Sequence, residues 1–321
     1  MRAGLALPLA ALCACANTAA VPPPEPFPAP APVRAAEPPT QRPAVPAGPS
    51  EESLSARQYY RRLEARGLTE GLMRRDGGGI DTRFTAEDLA RNFEEIAFRS
   101  ELSFRGGALT TASSDRDGVL RRWTGSVRIE LHFGDSVGPQ MRREERLRLE
   151  AYAARLRRVT GHPISVVGNR GNFHVFLVDV DEQRALAPRL QELLPTGELK
   201  NATSIATLGR QVYCSIVAWP ARDGSFSNGL AVTFVRAELP DLSRLACYHE
   251  EIAQGLGLGN DSPLARPSIF NDDDEFALLT THDEYLLRIL YDPRLRPGMT
   301  AREARPIVRQ IARELVPPEP I

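Results

Sequence analysis

The stretch that decides the fold is Cys247-Tyr248-His249-Glu250-Glu251-Ile252-Ala253-Gln254-Gly255-Leu256-Gly257-Leu258-Gly259-Asn260-Asp261. Asp241 opens a helix that runs to about Leu256. Glu250 and Glu251 are sequence neighbours, so on a helix they point about 100° apart and cannot face each other as an acid/base dyad. Plain structural readings stand beside any functional one. Glu250 reads as a solvated residue and Glu251 as a hydrogen-bonded one inside a cleft. His249, alone between Tyr248 and Glu250, reads as structural or exposed rather than as a metal ligand.

Outward from this helix the pattern is mixed. Upstream, Val127, Ile129, Leu131 and Phe133 alternate with polar residues as a half-buried strand does. A long helix with Leu149, Tyr152, Leu156 and Val159 on one face follows. Ile164 to Val167 and Phe173 to Val180 read as strands, and Glu182 to Leu194 as a helix. Val212, Cys214, Ile216 and Ala218, then Leu230, Val232 and Phe234, suggest a hairpin around Asp223-Gly224. Nearer the N-terminus, residues 54–66 form a short charged helix, Asp76-Gly77-Gly78-Gly79 breaks the chain, and Thr85 caps a helix carrying Leu89, Phe93, Ile96 and Ala97.

Downstream, Asn271-Asp272-Asp273-Asp274-Glu275 reads as a solvated loop. Thr281-His282-Asp283-Glu284 and Thr300-Ala301-Arg302-Glu303 resemble capping boxes. The helices after them carry Leu286, Leu287, Leu290 and Tyr291, then Ala304, Ile307, Val308 and Ile311. The order is α+β, one domain over residues 54–321.

The first 53 residues read as an address and a tether. An apolar run from Gly4 to Leu12 is too short to span a bilayer and fits the core of a secretory signal. Leu12-Cys13-Ala14-Cys15 resembles a bacterial lipobox, which makes residues 1–14 the signal and Cys15 the lipidated residue of an exported protein. Cleavage near Thr18-Ala19-Ala20, releasing a soluble secreted protein, is the alternative. With Ala16 after the cysteine, the enterobacterial sorting rule points to the periplasmic face of the outer membrane. Twelve of the 28 residues from Pro22 to Pro49 are proline, a composition that cannot pack a core and suits an extended spacer. The membrane, through the lipid, is thus the first expected partner.

Forty basic and 41 acidic residues nearly cancel, and no aromatic-basic interleaving is present, so nothing points to nucleic acid. Cys214 and Cys247 are an even pair in a chain expected to be exported, which suggests one disulfide; two buried thiols are the other reading. His132, His162, His174 and His282 are dispersed and show no metal-ligand spacing. Ser225 and Ser227 lack the pattern around a nucleophile elbow, and Gly77-Gly78-Gly79 lacks the lysine and helix start of a phosphate loop.

The central stretch also bears on a known catalytic motif. Metzincin zinc peptidases use H-E-x-x-H-x-x-G-x-x-H, in which two histidines share a helical face and the glutamate activates zinc-bound water. Starting that motif at His249-Glu250 puts Ala253 at the second ligand. Aligning on Leu256-Gly257-Leu258-Gly259 instead puts Glu250, Gln254 and Asn260 at the ligand positions, Glu251 at the catalytic glutamate and Gly257 at the turn. Pro267-Ser268-Ile269-Phe270-Asn271 then resembles the turn beneath the metal, with Phe270 in place of methionine.

On these residues, with Thr85 to Ala97 and Leu290-Tyr291-Asp292-Pro293-Arg294-Leu295-Arg296-Pro297-Gly298-Met299, the chain resembles the bacterial domain-of-unknown-function family 2927, a zincin-like group, from about residue 82 onward. The resemblance implies a zincin-like mixed sheet with helices and without histidine ligands; it implies no reaction, substrate or partner. The expected cleft is Glu250, Gln254, Asn260, Asp261 and Phe270, holding a polypeptide or glycan, with no cofactor and no metal. A hard cation such as calcium on Glu250, Glu251, Asp261 and Asp272 or Asp273 is the exception weighed against this. Three roles follow: a non-catalytic binding or envelope-assembly module, an active hydrolase with Glu251 as base and an atypical metal site, or a structural lipoprotein.

Overall fold

The computed structural model describes residues 48–99, 103–105, 108–110, 118–195 and 199–317. The expected signal, Cys15 and the tether up to residue 47 lie outside them. The folded body starts slightly earlier than the sequence suggests. Ser50 Oγ accepts the Ser53 N–H at 3.1 Å, and acidic Glu51 and Glu52 favour the positive helix end, so α1 spans Glu51–Thr69.

The chain then runs through α2 (Ala86–Ala97), β1 (Ser103–Arg105), β2 (Ala108–Thr110), β3 (Val127–Phe133), α3 (Pro139–Thr160), β4 (Ile164–Val167) and β5 (Phe173–Val178). It continues through α4 (Val180–Arg184), α5 (Ala187–Leu193), α6 (Leu199–Ala206), β6 (Cys214–Pro220), β7 (Asn228–Arg236), α7 (Asp241–Leu256), α8 (Thr281–Tyr291) and α9 (Ala301–Leu315). The architecture is α+β, as the sequence implies. Five strands form one mixed sheet in the order β4-β3-β5-β7-β6. The first four are parallel, and β6 turns back antiparallel along β7 through the expected hairpin. The β1–β2 pair is a separate antiparallel ribbon.

Three local expectations need correction. The strand placed over Phe173 to Val180 ends at Val178, because the Asp179 side chain accepts the N–H groups of Asp181 and Glu182 and starts a helix. The helix placed over Glu182 to Leu194 is two helices; Pro188 opens the second, where its missing N–H costs nothing. The cap of α8 is Thr280, one residue before the expected Thr281, and its box partner is Asp283. Thr85 and Thr300 cap α2 and α9 as expected.

Each face of the sheet buries its own cluster. Val127, Ile129, Leu131, Phe173 and Val175 join apolar residues of α2, α3, α7, α8 and α9 in the main core. Phe176, Val178, Val217, Trp219, Val232 and Phe234 pack with Leu190, Leu194, Ala202 and Ile205 from the α5–α6 side. A fully buried Leu, Ile or Phe contributes about 1.5–3 kcal/mol relative to exposure, so the larger first cluster dominates stability, and α7 is embedded in it. Among the described residues, no helix is long and apolar enough to cross a membrane.

Candidate functional site

Covalent and close-packed contacts hold α7 in place. Cys247 on α7 is disulfide-bonded to Cys214 at the start of β6, with Cα atoms 5.9 Å apart. The structure thus pairs the two cysteines, as the disulfide reading expects. Gly255 lies so close to the sheet that a Cβ there would sit 2.6 Å from the Phe173 ring. Its carbonyl accepts the Trp123 indole N–H at 2.8 Å. At the other end of the helix, buried Arg244 pairs with buried Glu145 at 2.9 Å.

The expected turn-back follows. Gly257 has φ +133°, and a Cβ would fall 2.3 Å from the Arg121 carbonyl oxygen, so the position demands glycine. The chain then returns along α7 and brings Asp261 Oδ1 to 3.5 Å from the Gln254 Nε2 donor, at the long limit of a hydrogen bond. Glu250 is half-buried one helical turn from Gln254, and Glu251 is buried beside it. Asn260 does not offer its amide to this group. Its Nδ2 donates to the Glu95 carbonyl at 3.2 Å and the Asp261 carbonyl at 2.7 Å, which ties the return to α2. The side chain that meets Gln254 is thus Asp261, one residue beyond the position that the motif alignment assigns.

Phe270 also differs in role. It is fully buried in the main core, so it supports the loop from inside rather than lining a cleft. The Ser262 N–H donates to the Phe270 carbonyl at 2.8 Å and closes that loop. Asp283, at the start of α8, holds the turn itself. It accepts from Ser268 Oγ at 2.5 Å, the Ile269 N–H at 3.1 Å, and the Thr280 N–H and Oγ1 at 2.9 and 2.8 Å.

The donor chemistry around the bend is carboxylate and carboxamide. Zinc prefers imidazole and thiolate, so this set does not fit zinc. Among the described residues, the acidic run does not join the α7 carboxylates in a metal-sized cluster. Asp272 and Asp273 are exposed, while Glu275 is held by Arg74 at 3.0 Å and Arg266 at 2.6 Å.

The histidines divide into two kinds. His249 is structural, as its isolation suggests. Its ring stacks on Tyr152 with centroids 4.0 Å apart, and its Nδ1 accepts the Leu279 N–H at 3.0 Å. Burial, helped by the Arg155 charge, pushes its pKa down to about 3. His282 is fully buried against Phe84, its Nε2 3.1 Å from Asn92 Nδ2, and His162 Nε2 lies 2.8 Å from the Gly125 carbonyl oxygen.

His132 and His174, which look dispersed in the sequence, meet in the fold. The parallel register of β3 and β5 sets Glu130 opposite His174, with His132 one pleat further along the same face. His132 Nε2 is 2.9 Å from His174 Nδ1 and 3.9 Å from Glu130 Oε1, and the His132 ring stacks on Phe176 at 4.4 Å. Burial brings His132 down to about 4 and lowers His174 as well; Glu130 opposes both shifts. The alternation Glu130-x-His132 was the one sequence signal, since it puts both groups on a single strand face.

Comparison with curated proteins finds no match, and neither does comparison with solved structures. The family model described as "Protein of unknown function (DUF2927)" matches residues 86–310, a span that runs from the first residue of α2 into α9 and takes in the whole sheet, the α7 bend and the Asp283-held turn. On that match, the chain belongs to the DUF2927 family.

Proposed function

We propose that this chain is an exported, lipid-anchored protein of the bacterial cell envelope whose domain is a degenerate metzincin-like scaffold that binds a polypeptide or glycan without cutting it. The zincin-like part of the reading draws its support from the order of parts: a helix, a glycine bend, a return strand of chain, a tight turn and a second helix. The non-catalytic part rests on one observation: beside the bend a carboxamide, Gln254, meets a carboxylate, Asp261, and the aligned ligand positions hold no histidine. A carboxamide and carboxylates can hydrogen-bond the amides or hydroxyls of a polymer, but they are a poor cradle for zinc.

The second reading, a hydrolase with Glu251 as base, draws on the burial of that carboxylate. One experiment separates the two. Purified bacterial sacculi and unfolded casein are incubated with the full chain, and both retention and cleavage are followed. Retention without cleavage, lost in a Gln254→Ala/Asp261→Ala variant that keeps its fold, supports the binding module. Cleavage that disappears in Glu251→Gln replaces it with the hydrolase. Failure to retain either polymer overturns the binding reading and leaves the structural lipoprotein.

A further inference from the structure

We propose that Glu130, His132 and His174 form a binding site for a divalent transition-metal ion of the zinc class, on the sheet face opposite α7. The face follows from the burial pattern. Ile129, Leu131, Phe173 and Val175 point into the core that holds α7, so the alternate residues Glu130, His132 and His174 point away from it. Each of the three offers one ligand atom, and these atoms lie within 4.8 Å of one another. Two imidazoles and one carboxylate are a donor set that holds zinc with a fourth position left for water or another small ligand.

The geometry is close to what the ion needs. Metal–nitrogen bonds of about 2.0–2.1 Å put tetrahedral ligands about 3.3 Å apart. The His132–His174 separation of 2.9 Å must open slightly, and the Glu130–His132 separation of 3.9 Å must close by a similar amount. Both changes are small enough for side-chain rotation, and His132 and Glu130 keep 18% and 17% of their side-chain surface exposed. An outer support is already in place: Glu130 Oε2 accepts the Gly171 N–H at 2.7 Å, which leaves Oε1 for the ion. Gly171 makes that approach feasible, since a Cβ there would lie 2.4 Å from the Glu130 Cβ.

The nearby cation that opposes the ion is Arg189, which is largely exposed and paired with Glu192 at 2.6 Å. The α5–α6 layer covers Phe176 and Val178 but leaves His132 18% exposed. None of this involves the α7 bend, and the proposal stands or falls apart from the function proposed for that bend.

Cobalt(II), which reports tetrahedral nitrogen and oxygen ligation by visible absorption, is titrated into the full chain after metal is stripped with chelator. The expected result is saturable one-to-one uptake with visible bands, reversed by one equivalent of zinc. His132→Gln should weaken uptake by more than the ~10–100-fold that loss of an outer-shell partner costs, and Glu130→Gln should weaken it measurably. Both residues are partly exposed, and circular dichroism and the thermal midpoint establish that each variant is folded. His162→Gln and the Gln254→Ala/Asp261→Ala variant should bind as the parent does. No saturable uptake overturns the site and leaves a hydrogen-bonded histidine pair. Uptake that survives both His132→Gln and Glu130→Gln, or that is lost in Gln254→Ala/Asp261→Ala, also overturns it.

Discussion

Ser268 donates its hydroxyl hydrogen to Asp283 across a 2.5 Å gap, and neither side chain is exposed to water. This contact joins the turn before the acidic loop to the first turn of α8. Asp283 is also the capping-box partner of Thr280, so one carboxylate both starts a helix and fixes a distant turn. Asp283→Asn replaces an acceptor-only group with one that brings two N–H donors to a site already full of donors. The expected loss is about 3 kcal/mol or more, typical of a buried charge-assisted network, read as a lower denaturant midpoint. A loss within about 0.5 kcal/mol would show that the turn holds without this carboxylate.

The Cys214–Cys247 bond closes a long loop that contains the β6–β7 hairpin and half of α7. Chain-entropy reasoning for a separation of 33 residues gives about 3–4 kcal/mol of stabilisation. A Cys214→Ala/Cys247→Ala double variant should melt lower by a corresponding amount, and non-reducing peptide mapping of the parent should recover the linked pair. Two free thiols in protein taken from the envelope would contradict this.

The anchor has its own test. If Cys15 carries the lipid, growth with labelled palmitate should label the full chain, and Cys15→Ala should remove the label and release the protein from membranes. Labelling that persists in Cys15→Ala would defeat the lipobox reading, because one acylated cysteine is what the reading requires.

Much of the fold was legible because its signals are local. Thr85 and Thr300 announce their helices with a hydroxyl and an acid three residues on, and the span of α7 follows from Asp241 and Gly257. The hairpin shows in the alternation on both sides of Asp223-Gly224. Signals that depend on distant pairing were not legible. The meeting of His132 with His174 depends on a parallel register between strands about 40 residues apart, and nothing local encodes that register. The shift from Asn260 to Asp261 has a similar cause. Once the helix stops at Gly257, side-chain direction depends on the contact with Glu95 on α2 rather than on helical spacing. The short helix α6 was missed because about two turns of chain carry too little periodicity.

Acid should destabilise the domain through its neutral histidines. His249 has its pKa depressed to about 3 in the fold, against about 6.5 in an unfolded chain. Below the unfolded value the unfolded chain binds a proton that the native state refuses, so stability is full above pH ~6.5 and is lost progressively down to the folded pKa. The slope from one such group approaches about 1.4 kcal/mol per pH unit, and His132, brought down to about 4, adds to it in the same direction. His249→Asn keeps an acceptor for the Leu279 N–H and removes the titration. It should flatten the fall in denaturant midpoint between pH 6.5 and 4 relative to the parent; parallel curves would show that His249 does not carry the effect.

Gly255 in α7 and Gly257 at its cap, two residues apart, should respond differently to the same added methyl group. At Gly255 the new Cβ would press on the Phe173 ring at 2.6 Å; the ring and the helix can both shift, so Gly255→Ala should cost about 1–3 kcal/mol by overpacking. At Gly257 the methyl would meet the Arg121 carbonyl oxygen at 2.3 Å, and the backbone φ of +133° is itself unfavourable for alanine. Neither can relax without moving the chain, so Gly257→Ala should cost more than Gly255→Ala and should also displace Asp261 from Gln254. Chemical denaturation ranks the two variants, and retention of sacculi or casein reports on the bend. If Gly257→Ala proves the milder change, the close return of the chain at this point is not what holds the Gln254–Asp261 contact together.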